Sequence, residues 1–538
     1  MGALGLGLWL MVQSAAAPPP PEPPKPPPLP PADPTATLDR DAWILAEWMV
    51  DTAERISAEY VRPVRSIDLL ETGLTEIYRT AGLELPTHFR DRLRNANGME
   101  PRMRVIQMAR LALGSVEAAD GTKSVLIAAK GFGKLTDPYC GPMATRGSTF
   151  ASSDAEFGLG FELEGATGSR WMEYLLDSAT TPDGRMTTNR TTSPAEVPWI
   201  VKRVLPGGPA AKAGLRPGDV ITHIGPEEVT VRSNSRAFRT LMNAFPTDAM
   251  MPDVPPDPVR PISLTISRRG RVAPMTLKLE RTAYRPESIF GVIRRPNGTW
   301  DYLLDPQAKI GYIRVGSVEL GADAAFQAAL QTLIEAGAKG LVLDLRWCPG
   351  GYVEPTTRIA GFLLPEDAVI ATVKYRHPDR EGTGTIKADA AEGREAFLRL
   401  PVVVLVGPDT AGGGEMIAAA LQDHNRAKLV GQRTFGKANV MNLIGTRIRG
   451  MSYRVSTGYS YRPSGVNRHR FPDSKPTDVW GLRPDPGCEL PMTADLYATL
   501  RQDAELQAIR PPDDFTAVAF DDPLNDPQKL IAVKLLKK

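Results

Sequence analysis

Apolar residues recur at helical spacing through the first folded stretch: Trp43, Leu45, Ala46, Trp48 and Met49, then Ile56 and Tyr60, then Leu69, Leu70, Leu74, Ile77 and Tyr78. This spacing predicts helices whose stripes face a core, and Met103 to Leu113 predicts a further one. A loop with Asp137, Pro138 and Tyr139 closes the segment, read as a helical domain over 38–150. Between 151 and 285 the pattern shortens to β-rich runs cut by glycine, including Trp199 to Val204 and a hairpin around Gly270. Beyond 286 continuous apolar runs alternate with helical stripes. IGYIRVGSV is followed by a helix from Ala322 to Ala336, then by GLVLDLR, by VVVLVG at 402–407, by a helix from Glu415 to Asp423, and by a strand from Lys428 to Val430. Runs buried on both faces, alternating with helices, predict a parallel sheet with its site at the C-terminal strand edges. Two glycine-rich turns fall at such edges, Cys348-Pro349-Gly350-Gly351 and Ala411-Gly412-Gly413-Gly414. The fold class is therefore multidomain α/β, with a core over 286–500 and a C-terminal extension over 501–538.

Composition removes several function classes. The 538 residues hold 64 basic and 62 acidic side chains, a balance with no field for nucleic acid. Cys140, Cys348 and Cys488 are too few and too scattered for a disulfide framework, although one bridge is allowed, and the five histidines show no ligand spacing. No metal and no cofactor is expected. Met1 to Val12 is apolar and is followed by Ser14, Ala15, Ala16 and Ala17, which makes 1–16 an export segment with cleavage after Ala16; no Lys or Arg precedes it. The apolar run is short of the roughly 20 residues that span a bilayer, which favours export over the alternative of a retained membrane tether. Residues 17–37 are proline-rich, a stiff polyproline spacer that cannot form a core. The expected location is the periplasm or cell envelope.

Gly158, Leu159, Gly160 and Phe161 precede a strand, and GGPAAKAGLRPGDVI follows from Gly207 to Ile221. The two together, in this order, resemble a PDZ domain over 151–285. Such a loop cradles a terminal carboxylate with backbone N–H groups while the next strand edge takes the peptide as an added strand. The resemblance implies recognition of polypeptide C-termini with apolar ends, with Gly158, Leu159, Gly160 and Phe161 as the binding loop.

The wider order is a helical segment, a PDZ-like domain, DLRWCPGG, a strand-to-helix turn and TFGK. It resembles the C-terminal processing (tail-specific) peptidases, exported serine endopeptidases with a Ser/Lys dyad and a crotonase-like α/β core. Further matches are Ala420 to Asp423 with Leu429, Val430 and Gly431, Tyr461 to Gly465, and Gly481 to Asp485. The likeness covers nearly everything after the proline spacer. It implies that Lys437 is the base, that Gly413 with Gly350 or Gly351 donates to the oxyanion, and that the nucleophile sits three residues before Glu415. That residue is Gly412, which has no side chain. The family often has a glutamine four residues after the lysine to orient it, and Met441 stands there.

Three readings compete for this gap. A pseudopeptidase keeps the peptide groove but forms no acyl-enzyme. A relocated nucleophile uses Thr410 or Cys348. A working serine-type endopeptidase requires a different register or a hydroxyl that swings in, yet only Thr410 in the turn carries an oxygen.

Overall fold

The computed structural model describes residues 34–116, 119–121, 123–144, 156–163, 199–229, 261–280, 282–284, 287–295, 298–377, 384–390, 393–448, 451–471, 474–509 and 526–538. The apolar segment 1–16 and the proline spacer up to residue 33 lie outside them.

The helical stripes form α1 (Pro34–Glu59), α2 (Ser66–Thr80), α3 (Thr87–Asn95), α4 (Met99–Leu113) and α5 (Lys123–Gly133). Leu45, Trp48, Met49 and Ile56 of α1 pack with Leu69, Leu74 and Ile77 of α2, and Trp48 stacks on Phe132 of α5 with ring centroids 5.6 Å apart. Trp43 departs from its expected core position and lies on the outer side of α1, 42% exposed. This bundle does not close on itself. After the 137–139 loop the chain forms β1 (Gly141–Ala144), which adds to a sheet of the α/β core described below.

The PDZ-like region is a small antiparallel sheet, with strand order β2 (Phe161–Leu163), β3 (Trp199–Val204), β4 (Val220–Ile224), β5 (Ile262–Ser267) and β6 (Met275–Leu279). Alternating Ile262, Leu264 and Ile266 face its core with Val201, Ile221 and Leu279. β2 pairs only with β3 among the described residues, so one of its edges is open.

The core holds the predicted parallel sheet. β7 (Ile310–Val315), β8 (Gly340–Asp344), β10 (Val402–Val406) and β11 (Ala427–Gly431) lie side by side in that order, all parallel. Between them come α6 (Ala322–Glu335), α7 (Val353–Phe362), β9 (Val369–Tyr375) and α8 (Gly413–Asp423). β10 shows why its sequence is continuously apolar. Val402, Val404 and Val406 face the helices, while Val403 and Leu405 face the opposite layer. That layer is the C-terminal helix α10 (Pro527–Leu536), which sets Ala532 against Val342, Leu405 and Val430. α10 is pinned from beneath: Arg346 Nη2, fully buried, lies 2.7 Å from both Asp344 Oδ2 and Asp526 Oδ2.

A second, antiparallel sheet stands beside the first. β12 (Asn439–Gly445) and β9 flank β13 (Met451–Tyr461), and β1 pairs with β13 from Gly141↔Arg454 to Ala144↔Met451. Met451, Tyr453 and Val455 of β13 complete the core of the helical bundle. The N-terminal helices and the α/β core therefore share one apolar interior, which brings the 137–139 loop to the site. Between the core and the PDZ-like sheet runs α9 (Ala494–Ile509), with Ile509 in the PDZ-like core and the Tyr497 hydroxyl donating to Arg346 O at 3.0 Å.

Candidate active site

β10 delivers the chain into a sharp turn and then α8. The turn is held by backbone and by one hydroxyl. Thr410 Oγ1 accepts the Gly407 N–H at 2.9 Å and donates to Leu345 O at 2.8 Å, and Ala411 N–H donates to Cys348 O at 2.9 Å. Gly412 then takes φ 53° and ψ −114°, a sparsely populated conformation of the kind stored at strand-to-helix nucleophile turns. Its carbonyl accepts the Met416 N–H at 3.0 Å, while the Gly413 N–H, at the start of α8, has no acceptor among the described residues.

Steric room separates the glycines of the two turns. A Cβ at Gly351 would lie 2.1 Å from Val318 O, one at Gly350 2.3 Å from Gly413 N, and one at Gly414 2.7 Å from Cys348 O. Each is a collision with backbone. At Gly413 it would lie 2.5 Å from Thr356 Oγ1, a hydroxyl committed to Tyr352 O at 2.7 Å. At Gly412 the nearest atom is Pro349 O at 3.0 Å, and the next are at 3.9 and 4.0 Å. Of these five positions, only 412 has space for a side chain.

The backbone around the three glycines expected to donate to an oxyanion is arranged as follows. Pro349 presents its carbonyl oxygen to the Cβ position of residue 412. The Gly350 N–H, on the other side of that peptide, turns to the Cys348 thiol, and Gly350 O accepts the Val318 N–H at 2.9 Å. Gly413 and Gly351 keep N–H groups without backbone acceptors among the described residues.

Neither alternative nucleophile is arranged for attack. Thr410 is fully buried, with its hydroxyl bonded on both sides as a brace. Cys348 is fully buried, and burial pushes its thiol up to about 12, the reverse of activation. Cys140 and Cys488 are also buried, and none of the three cysteines is bridged.

Lys437 lies beyond the turn at the start of β12. Its loop is fastened to the turn and to α8: the Phe435 N–H donates to Thr410 O at 3.0 Å, and fully buried Glu415 accepts the N–H groups of Gly436 and Lys437 at 2.8 and 2.7 Å and the Thr434 hydroxyl. Burial raises the Glu415 carboxyl, against the pull of Arg468, the Thr434 hydroxyl and these N–H groups. Arg468, also buried, donates to Ser460 Oγ at 3.0 Å and to Gly412 O at 3.3 Å, tying the turn to β13.

The Lys437 ammonium has no hydrogen-bonded partner among the described residues and sits 5.4 Å from the Tyr139 ring centroid. Burial, with Arg454 nearby, lowers its pKa, while Asp137 and Glu415 oppose the shift. A lysine so placed is more readily neutral and able to take a proton. Met441 pairs with Ser456 on β13 and offers no amide to orient it.

Sequence reasoning left Glu415 as a register mark and assigned nothing to Asp137, Tyr139, Arg468 or His469. An acidic residue inside an apolar helix stripe was a readable signal for Glu415. Asp137 and Tyr139 reach Lys437 through the pairing of β1 with β13, and Arg468 and His469 reach it through the loop after β13, with His469 Nδ1 accepting the Ala438 N–H at 3.2 Å; neither approach has a local sequence signal.

In the PDZ-like region, Gly158 ends a short strand paired with Thr282, and Leu159 is buried. Leu159 O and Gly160 O accept N–H groups of Ala210 and Leu205 at 2.9 and 2.8 Å, and Gly160 has φ 76°. Phe161 opens β2 beside that strand's free edge. Among the described residues no group of three His, Cys, Asp or Glu could hold a metal ion, and no helix is long and apolar enough to cross a membrane.

The fold is multidomain α/β, with N-terminal helices, a PDZ-like β-domain and an α/β core. Residues 309–476 match the sequence model of peptidase family S41, and residues 200–243 match that of a PDZ domain. Among curated relatives, a carboxyl-terminal-processing protease of Synechocystis is 30% identical over 304 residues, covering 56% of this chain and 62% of the relative. The carboxy-terminal processing protease CtpA of Bacillus subtilis is 27% identical over 241 residues, covering 45% of each chain. The chain thus spans about half to three-fifths of the length of these relatives. A solved structure of a photosystem II D1 C-terminal processing protease aligns with 85% of this chain and 96% of its own at 20% identity, with a TM-score of 0.39.

Proposed function

We propose that this chain captures polypeptide C-termini on a C-terminal-processing-peptidase framework without forming an acyl-enzyme. The observation that supports this reading is the pair of facts at position 412: a turn with room for one side chain, and a glycine in that place. In this reading Gly412 is the nucleophile position, Lys437 the base position, Met441 the altered orienting position, and Gly413 with Gly351 the remaining oxyanion donors. Losing the nucleophile removes orders of magnitude of rate, while binding groups persist.

Binding begins at the PDZ loop, where Leu159, Gly160 and Phe161 take an apolar C-terminus along the free edge of β2. Exposed Tyr352, Val353 and Phe435 near the turn and the Lys437 loop extend an apolar track for the chain that follows. The export-like segment and proline spacer assign this capture to the cell envelope.

The alternative is a proteolytic enzyme that acts despite Gly412. Lys437 carries that alternative, because a buried amine without a hydrogen-bonded partner is suited to activate water. The two are separated by incubating the chain with an unfolded polypeptide ending in apolar residues. Stoichiometric binding with intact substrate supports capture; new termini, lost in Lys437→Ala, would overturn it.

A further inference from the structure

The loop that follows β13 packs directly against the Lys437 loop. Gly436 has φ 86°, and a Cβ there would lie 2.8 Å from Arg470 Cβ and 3.2 Å from Trp480 Cε3; the Arg470 N–H donates to Gly436 O at 2.8 Å. Two guanidinium groups stack on Trp480, with Arg433 Cζ 3.4 Å and Arg470 Cζ 4.4 Å from its ring centroid. Arg433 spends its donors on backbone carbonyls, reaching Trp480 O at 2.9 Å, Pro476 O at 2.7 Å and Asp478 O at 2.5 Å, so it shapes the loop with no carboxylate bonded to it, Asp478 being the acidic group nearby. Arg470 and Arg483 are exposed. Among the described residues Arg433, Lys437, Arg470 and Arg483 make no ion pair. After burial, the charges of Arg483 and Arg470 depress the Arg433 pKa, which shows how closely these cations stand together. Phe435 at 43% exposure and Val479 at 76% give the same face an apolar component.

A chain with net charge +2 has thus gathered, among the described residues, several cations without ion pairs beside its candidate site. Two arginines elsewhere in the core are matched by carboxylates, Arg346 by Asp344 and Asp526 and Arg462 by Asp423. Leaving several cations unpaired around one indole raises the local potential and favours an anionic occupant. The mixture of exposed apolar side chains with point cations suits an extended polypeptide carrying carboxylates among apolar residues. The overall charge balance disfavours a long polyanion.

We infer that the Arg433–Trp480–Arg470 face, with Arg483, is a docking surface for an acidic polypeptide segment, selecting captured chains that carry Asp or Glu upstream of an apolar C-terminus. This inference rests on the capture reading above and adds a substrate class to it. Arg470 and Arg483 supply the attraction, Trp480 and Phe435 the contact area, and Arg433 holds the loop in shape.

The test uses two fluorescent peptides with the same free apolar C-terminus, one with Asp and Glu at upstream positions and one with Asn and Gln there. The full chain is titrated with each at low and at physiological salt, beside the double variant Arg470→Glu/Arg483→Glu. The acidic peptide should bind the wild type about tenfold more tightly than the neutral one, with the gap narrowing as salt rises. In the double variant that preference should vanish while neutral-peptide affinity stays the same, which also shows that the fold is intact. Equal affinity of the two peptides for the wild type would overturn the inference and leave capture standing. Binding of neither peptide would overturn capture itself. A single-stranded oligonucleotide that binds as tightly as the acidic peptide, and loses affinity in the double variant, would make the face a general polyanion site and also overturn the inference.

Discussion

Replacing Gly412 with alanine tests whether the turn was shaped around a side chain. At φ 53° and ψ −114° an L-residue is strained, and residues held in such regions cost about 1–3 kcal/mol. Alanine also restricts the unfolded chain, which offsets about 0.4–1 kcal/mol of that cost. The nearest approach, 3.0 Å to Pro349 O, asks only a small shift of the neighbouring peptide. Gly412→Ala should therefore destabilise the core by about 1–2 kcal/mol. Gly414→Ala must displace Cys348 O from 2.7 Å and Gly350→Ala must displace Gly413 N from 2.3 Å. Both meet backbone in a packed turn, and overpacking of that kind costs about 1–3 kcal/mol or more, on top of any strain. Gly412→Ala should be the mildest of the three. Because the chain has several cooperative units, hydrogen exchange of peptides from α8 and β10 is the suitable assay. Protection in Gly412→Ala equal to or lower than in Gly414→Ala would refute the idea that position 412 alone admits a side chain.

Further outcomes follow from the charges and the buried pins. The His469 pKa is pushed down to about 4 from 6.5, chiefly by burial, so between those values the unfolded chain binds more protons than the folded one. Stability should accordingly fall as pH drops from 6.5 to about 4, by up to about 3 kcal/mol, and His469→Asn should flatten that limb in urea titrations. Lys437 has a lowered pKa, so burying it costs stability at neutral pH and the cost fades as pH rises toward 10.5. Lys437→Met should raise the urea midpoint at pH 7 and lose that advantage in alkali. Asp526→Ala strips one partner from buried Arg346 and should cost about 3–5 kcal/mol, read as loss of protection in α10 and β8.

Much of this architecture is visible in the chain itself. VVVLV at 402–406 is apolar at every position because both of its faces are covered, and that pattern fixes a central parallel strand without further information. The glycine at 412, three residues before Glu415, is also legible in the chain, and its role as the vacant nucleophile position is what we propose. The orientation of the Pro349–Gly350 peptide is not legible. Either face of that peptide satisfies the same residues, and only the positions of the Cys348 thiol and the Val318 N–H decide it. Tyr139 and Asp137 are hidden for another reason. They lie about 300 residues from Lys437 in the chain and reach it because four residue pairs between β1 and β13 carry the helical segment onto the core. The apolar stripe of α1 predicted a core but not its far wall, which β13 supplies.

The most direct measurement is mass spectrometry of termini after the chain is incubated with an unfolded polypeptide that ends in apolar residues, with binding followed in parallel. Capture without chemistry predicts a stable complex and intact substrate for the wild type and for Lys437→Ala alike. New C-termini that accumulate with time and disappear in Lys437→Ala would contradict it and make this chain a working peptidase.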